Sequence, residues 1–300
     1  MHSQTRGFLL AMVAALCWSF TGPGIGILLD RYNMAPLTVA FWRDFFVVVL
    51  LLPISLRVFG LPSRSALRDF LVVGFICFGV YHALWVYSVQ LNGAAVAVIL
   101  IYTFPAFATL GSWLLWGEQP SRTAIGGLVL AFVGCALVVR IYDPATLRLN
   151  WLGILCGIAT GLAQAGYALY SRRAAHYHHP WVALTWTMLV GTLALLLTQT
   201  PASLVAPGPN PAPWILLIVL AVGPTLMGYL LFNISLRSLR AGVAGTVVML
   251  EAPFATLLAV LLLAEPLAWP QIAGMALVLA GAATPHLLVI GSPRKQNAAA

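Results

Sequence analysis

Lysine is almost missing from this chain. Among 300 residues the one lysine is Lys295, near the carboxyl end. Without a second lysine there is no GxxxxGK[ST] phosphate loop, so ATP hydrolysis by this chain is excluded. A lysine Schiff base inside the apolar segments is excluded with it. Acid is scarce too: Asp and Glu total seven, and charged residues of both signs make up 7%. A water-facing globular domain carries about 25%, so this chain lacks the charge to clothe one. No HExxH and no GxSxG occurs, which removes the commonest zinc and serine hydrolase arrangements. Cysteine is down to four, Cys17, Cys77, Cys135 and Cys156, with no CxxC spacing. All four fall in apolar runs and read as reduced thiols packed as small hydrophobes.

Apolar residues fill the space that charge leaves: 61% of the chain is hydrophobic, with a mean hydropathy of +0.97. A bilayer-spanning helix needs about 20 largely apolar residues. Ten such runs follow one another, at about 7–29, 35–57, 67–90, 93–116, 122–141, 151–171, 180–199, 213–236, 241–263 and 269–290. They are too long and too uniformly apolar for barrel strands, and backbone polar groups in lipid must be satisfied within the segment. The fold class is therefore all-α integral membrane with ten transmembrane helices. The formal net charge of +8 does not signal nucleic acid, because the basic residues follow the helix ends. With a cytoplasmic amino terminus, eleven of the fifteen Arg and Lys lie in cytoplasmic loops and tails. Three lie in outer loops, and Arg43 lies inside a span. The asymmetry predicts both termini in the cytoplasm. The first run follows Arg6 as a signal peptide would, but it shares the repeat described next and is expected to be retained.

One module is written twice. Residues 105–110 read PAFATL and 253–257 read PFATL, each midway along a long run. Each is followed by a glutamate in a loop, Glu118 or Glu265, and then by a run bearing glycine. Five spans is an odd number, so the second module enters the membrane from the opposite side. Residues 1–142 form the first repeat, 143–150 an outer linker, and 151–290 the inverted second repeat. Residues 291–300 form a polar cytoplasmic tail expected to be disordered. The connection at 199–213 is rich in Pro and Gly and reads as irregular. Gly22-Pro23-Gly24 should interrupt span 1. Gly22/Gly26 and Gly153/Gly157/Gly161 recur at four-residue spacing and predict close helix packing. Inverted repeats of this kind enclose a central cavity near the midplane in secondary transporters.

Ionisable groups at membrane depth are costly and mark candidate sites. Glu251 lies near the middle of span 9, and Arg43 and Asp44 lie inside span 2. Glu251 reads either as a proton site or substrate-amine contact, or as half of a structural charge pair with Arg43. In span 3, Tyr81, Trp85 and Ser88 share one face at i, i+4 and i+7, with His82 beside them. Tyr102 lies at similar depth in span 4. Repeat alignment sets Tyr229 opposite Tyr81 and Gln164 opposite Trp18, with Tyr167 one turn further on. These rings are too deep for an interfacial belt. They predict an aromatic-walled pocket with few polar handles, suited to a flat, neutral or zwitterionic small molecule. The tract His176-Tyr177-His178-His179 has no Cys or acidic neighbours and reads as a solvated loop, so no metal and no cofactor is expected.

The mid-helix prolines of spans 4 and 9, the segments Leu115–Glu118 (LWGE) and Leu263–Pro266 (LAEP), and the glycine-bearing spans 5 and 10 resemble the drug/metabolite transporter superfamily. The match is to its EamA-type members, and Arg43 fits it as well. The aromatic and His cluster of span 3 is similar to that of aromatic amino acid exporters of the YddG type. The resemblance implies an exporter in a bacterial inner membrane, with a central cavity and alternating access. Its substrate would be a neutral aromatic or hydrophobic amino acid or a similar metabolite. Another solute on the same scaffold, such as a nucleoside, an amine drug or a lipid precursor, is the alternative. An intramembrane enzyme or an assembly subunit is the third. Membrane lipid is the expected surrounding, and a monomer is compatible with everything in the sequence.

Overall fold

The computed structural model describes residues 2–144, 149–263 and 267–291. Arg148 in the linker, Glu265 and Pro266 in the second motif, and the 292–300 tail with Arg294 and Lys295 lie outside the described residues. Ten helical rods follow in chain order. They are α1 (His2–Ser19, then Thr21–Asp30), α2 (Pro36–Phe59), α3 (Arg64–Asn92), α4 (Ala94–Ile101, then Phe104–Trp116) and α5 (Arg122–Val138). The second set is α6 (Trp151–Ala174), α7 (Pro180–Leu196), α8 (Pro211–Ser235), α9 (Ala241–Val248, then Glu251–Leu263) and α10 (Trp269–Gly291). Seven rods are long and apolar enough to cross a bilayer, and α5, α7 and α10 contribute shorter apolar stretches. No strand occurs among the described residues. Leu114, Leu197 and Leu261 are each more than 70% exposed, a surface that suits acyl chains and not water.

Packing follows the repeat. The pairs α5–α10, α2–α7 and α4–α9 each join a helix to its own counterpart. Helix α3 lies on α6 as α8 lies on α1, and α4 touches α6 as α9 touches α1. Shifting every helix by five positions returns each of these broad pairs. The two five-helix repeats are thus related by a pseudo-two-fold axis, and their opposite directions make the repeat inverted. Loop contacts agree with strict up–down alternation. Arg172 at the end of α6 meets Glu118 just after α4, on the face where α1 begins. On the other face the backbone amide of Asn150 donates to Asn92 Oδ1 at 2.6 Å, and Arg140 donates to Gln271 at 2.9 Å.

Proline sets the local breaks. Pro105 and Pro253 cannot donate to the carbonyls four residues back and crowd them. Their helices pause just there, at Tyr102–Thr103 and at Met249–Leu250. Pro23 acts the same way on α1. The sequence points to Gly22-Pro23-Gly24 as the break, but the interruption lies at Phe20, and Thr21 already opens the second half. The clash is with the turn before the proline, so the break precedes it. Two wide turns, Phe75–Val80 in α3 and Ala221–Met227 in α8, occupy matching places in the repeats. In the second, Pro224 leaves the Leu220 carbonyl without its usual donor, and the Thr225 hydroxyl supplies one at 2.9 Å.

Three further expectations need correction. The stretch 199–213 is not wholly irregular: Pro201–Leu204 forms one helical turn, closed by a capping box between Thr200 and Ser203. The histidine tract is not simply solvated. His178 stands edge-on to Phe70 at 5.5 Å, and His179 stacks on Phe59 at 4.8 Å. Gly153, Gly157 and Gly161 do receive α3 and α4 closely, but Gly22 and Gly26 touch no neighbour. Their bare face borders a cavity.

Candidate functional site

That cavity holds about 460 Å³ where the two repeats meet. Its size is typical of small-molecule sites, which run to about 300–1,000 Å³. Trp18, Tyr81, His82, Trp85, Tyr102, Gln164 and Tyr229 all line it, and so do Arg43 and Glu251. Tyr167 does not. It stands behind the wall, where its hydroxyl and the Asn233 side-chain amide bond at 2.9 and 3.2 Å. Ser88 is also off the lining: it is fully buried beside Gly157 on α6. The lining stripe of α3 runs Tyr81, Trp85, Val89, a four-residue step, where the sequence suggests a final step of three. Gln90, Thr21, Thr225 and Phe104 were not singled out in the sequence, yet they line the space. Thr21 follows the α1 break and Thr225 lies within the α8 wide turn, and the prolines at those places, Pro23 and Pro224, were the available signal.

The cavity runs from mid-helix depth toward one face only. Leu29, Pro36 and Gln90 border it, and all three belong to the face of the α1–α2 loop. On the other side a layer of rings closes it. Trp18 meets Tyr229 edge-on at 5.1 Å and Phe232 at 5.4 Å, while Phe78 meets Tyr167 at 5.2 Å and Tyr229 at 5.3 Å. Offset and edge contacts of this kind add about 0.5–1.5 kcal/mol each beyond the area they bury. Beneath the rings, at the face where α1 begins, Glu118 takes two hydrogen bonds from Arg172, at 2.6 and 2.7 Å. Arg240 adds a third contact at 3.6 Å, and the Arg172 guanidinium lies 4.9 Å from the Trp116 ring centre. The hydrogen bonds from Arg172 hold the Glu118 carboxyl below its ordinary range, against an opposing push from burial.

Charge within the cavity wall is unevenly partnered. The Arg43 guanidinium donates to His82 Nε2 at 2.9 Å and lies 3.5 Å from Asp44 Oδ1. Arginine only donates, so His82 Nε2 accepts and the ring keeps its proton on Nδ1, 3.7 Å from Asp44 Oδ2. Arg43 therefore pairs with Asp44 and His82 and not with Glu251, because Asp44 is adjacent in the chain and His82 faces it from α3. Among the described residues no group of three His, Cys, Asp or Glu stands together as a metal site would require.

A family model, the EamA-like transporter family, matches residues 5–140 and again 151–284. The chain belongs to the EamA-like transporter family. Relatives of this EamA-like protein include an "Uncharacterized transporter" of Archaeoglobus fulgidus, 29% identical over 82% of this chain and 84% of its own. One from Synechocystis is 25% identical over 91% and 90%, and YwfM of Bacillus subtilis is 29% identical over 75% and 74%. A solved crystal structure matches the fold with a TM-score of 0.80 at 19% identity, covering 96% of this chain and 98% of that one. The EamA-like protein is thus a multi-pass membrane protein of a transporter family, and family and relatives alike point to a transporter and away from an enzyme. A transporter of this family implies a small-molecule substrate.

Proposed function

We propose that the protein is a secondary transporter that exports neutral aromatic or hydrophobic amino acids, or similar metabolites, by alternating access. The observation that carries the reading is an aromatic-walled cavity at the junction of two inverted repeats, open toward one face and sealed on the other. Tyr81, Trp85, Tyr102 and Tyr229 would stack on a flat side chain, with Trp18 closing the floor. Gln164 would orient its polar end, with the His82 ring forming wall beside it; Gln164 makes no hydrogen bond to a described residue, which leaves its amide for the solute. With both termini in the cytoplasm of a bacterium, as the loop arginines suggest, the cavity faces outward and the ring layer closes the cytoplasmic side. Alternating access then follows if the repeats exchange their roles about the pseudo-two-fold axis.

Counterflow of labelled phenylalanine or tryptophan in proteoliposomes tests the proposal. Each of Tyr81→Ala and Trp85→Ala is expected to raise the half-saturating concentration about tenfold, equivalent to about 1.4 kcal/mol of lost ring contact. Unchanged uptake in both variants would place the solute elsewhere. The absence of counterflow with either amino acid, alongside counterflow with a nucleoside, would favour another solute on the same scaffold.

A further inference from the structure

We infer that Glu251 is the receptor for an ammonium group, which makes the amino group of the solute obligatory and its carboxylate dispensable. The inference rests on the proposed cavity but goes beyond the proposed amino acid substrates: aromatic primary amines would occupy it as well as zwitterions do. Three charged side chains stand at cavity depth among the described residues, Arg43, Asp44 and Glu251. The first two neutralise each other, and His82 takes a further guanidinium donor. A substrate carboxylate would have to compete with Asp44 for a cation that is already compensated. Glu251 has no such companion. It lines the cavity and makes no hydrogen bond or ion pair with any described residue. Tyr81 and Tyr102 line the same cavity, and the cation on that lining, Arg43, is already paired with Asp44 and His82. The helices packed against the Glu251 half of α9 are α1, α5 and α10. At that depth they offer Cys17 and Cys135 as their titratable side chains and no Lys or Arg.

A carboxylate in an apolar wall loses its hydration, and the loss is made good only by a cation or by direct donors. Glu251 does open the second half of α9, where the helix end favours an anion. That partial charge is smaller than a full one and leaves the carboxylate oxygens without a donor from a side chain. An ammonium supplies both a unit charge and three N–H donors. The same ammonium would lie against the ring faces of Tyr81 and Tyr102, which attract cations. An amine with a flat apolar body therefore satisfies the wall in full, and a carboxylic acid of the same body leaves Glu251 uncompensated.

Binding to the purified full-length protein in detergent, by calorimetry, separates the possibilities with three indoles of nearly equal shape. Tryptamine is expected to bind at least as tightly as tryptophan. Indole-3-propionate, which lacks the amine, is expected to bind about 30-fold more weakly, the scale of a charged hydrogen bond. Glu251→Gln should weaken tryptamine and tryptophan together by a similar factor, and Glu251→Asp should recover part of the loss. Equal binding of indole-3-propionate and tryptamine to the native protein would overturn the inference, and that comparison needs no variant to fold. Normal tryptamine binding by Glu251→Gln would overturn it too, as would failure of all three indoles to bind. Tryptamine binding without any amino acid counterflow would instead sink the proposed transport substrates and leave the role of Glu251 standing.

Discussion

Gly134→Leu is expected to yield no folded protein, whereas Gly126→Leu, two turns earlier on the same helix, should be tolerated. A Cβ added at Gly134 would lie 2.6 Å from the Gly274 carbonyl oxygen and 2.7 Å from the Val278 amide nitrogen. Both are backbone atoms of α10, so no rotamer change relieves the clash. The contact has a mirror image: Gly281 on α10 meets Gly127 O and the Ala131 amide on α5 in the same way. The two helices approach backbone to backbone across the pseudo-two-fold axis, and a side chain would wedge them apart along their length. Overpacking alone costs about 1–3 kcal/mol, and here it also breaks the matching contact. A total loss above about 4 kcal/mol is expected, which is a large part of the stability of an ordinary domain. Gly126 has nothing within 4 Å. Leucine there removes a poor helix former and should change stability by no more than about 1 kcal/mol. Yield of monodisperse protein and its melting temperature check both variants. Equal behaviour of the two would show that α5 and α10 do not meet through these glycines.

Glu118→Gln is expected to open the sealed face. Glu118 belongs to the first repeat and both of its arginines belong to the second, so the cluster ties the repeats together beneath the ring layer. Arg240 also donates to the Gln119 carbonyl at 3.3 Å, which fixes the α8–α9 loop to the α4–α5 loop. Exposed ion pairs contribute about 0–1 kcal/mol. A paired, partly buried fork of this kind contributes somewhat more, so the open population should rise about tenfold. Cys77 reports it: the thiol is buried and lies near Gly166, one residue from Tyr167. With Cys17, Cys135 and Cys156 replaced by serine, Cys77 should react with a membrane-impermeant maleimide about ten times faster in Glu118→Gln. An unchanged rate would mean that the rings alone hold the seal.

The pH dependence of the same reaction has a definite sign. The Glu118 carboxyl is depressed in the folded protein by its bonds from Arg172. Its contribution is therefore present above the ordinary carboxylate value and disappears as pH falls through the depressed one. The maleimide reaction itself needs the thiolate, so the readout is the ratio of the Glu118→Gln rate to the native rate at each pH. That ratio should hold steady above the ordinary carboxylate range and fall toward one as pH drops through the depressed value.

Most of the fold was legible because the bilayer leaves little choice. An apolar run of about 20 residues has to become a helix, and the repeated PAFATL and PFATL segments with an odd number of spans entail the inversion. The helix pauses were legible in part, since Pro105 and Pro253 point to them once the clash is traced four residues back. The wide turn at Phe75–Val80 was not, because it contains no proline and depends on how α3 rests on α7. For the site, Trp18, Tyr81, Tyr102 and Tyr229 share one cavity because depth and repeat position were both readable. Tyr167 was misread because depth does not say which way a ring turns, and its hydroxyl is taken by Asn233. Glu118 stood out as a loop glutamate, but Arg172 lies 54 residues away in sequence and only the packing of α4 on α6 brings the two together.

The pairing of helices across the repeats bears on biosynthesis. Nearly every broad contact joins a helix of one half to a helix of the other. As the chain leaves the ribosome, its first five segments can each become helical in lipid but find few of their final neighbours. They must wait as loosely associated rods until the later segments thread between them. The halves should accordingly rescue each other when synthesised as two polypeptides in one cell, and either half made alone should be degraded.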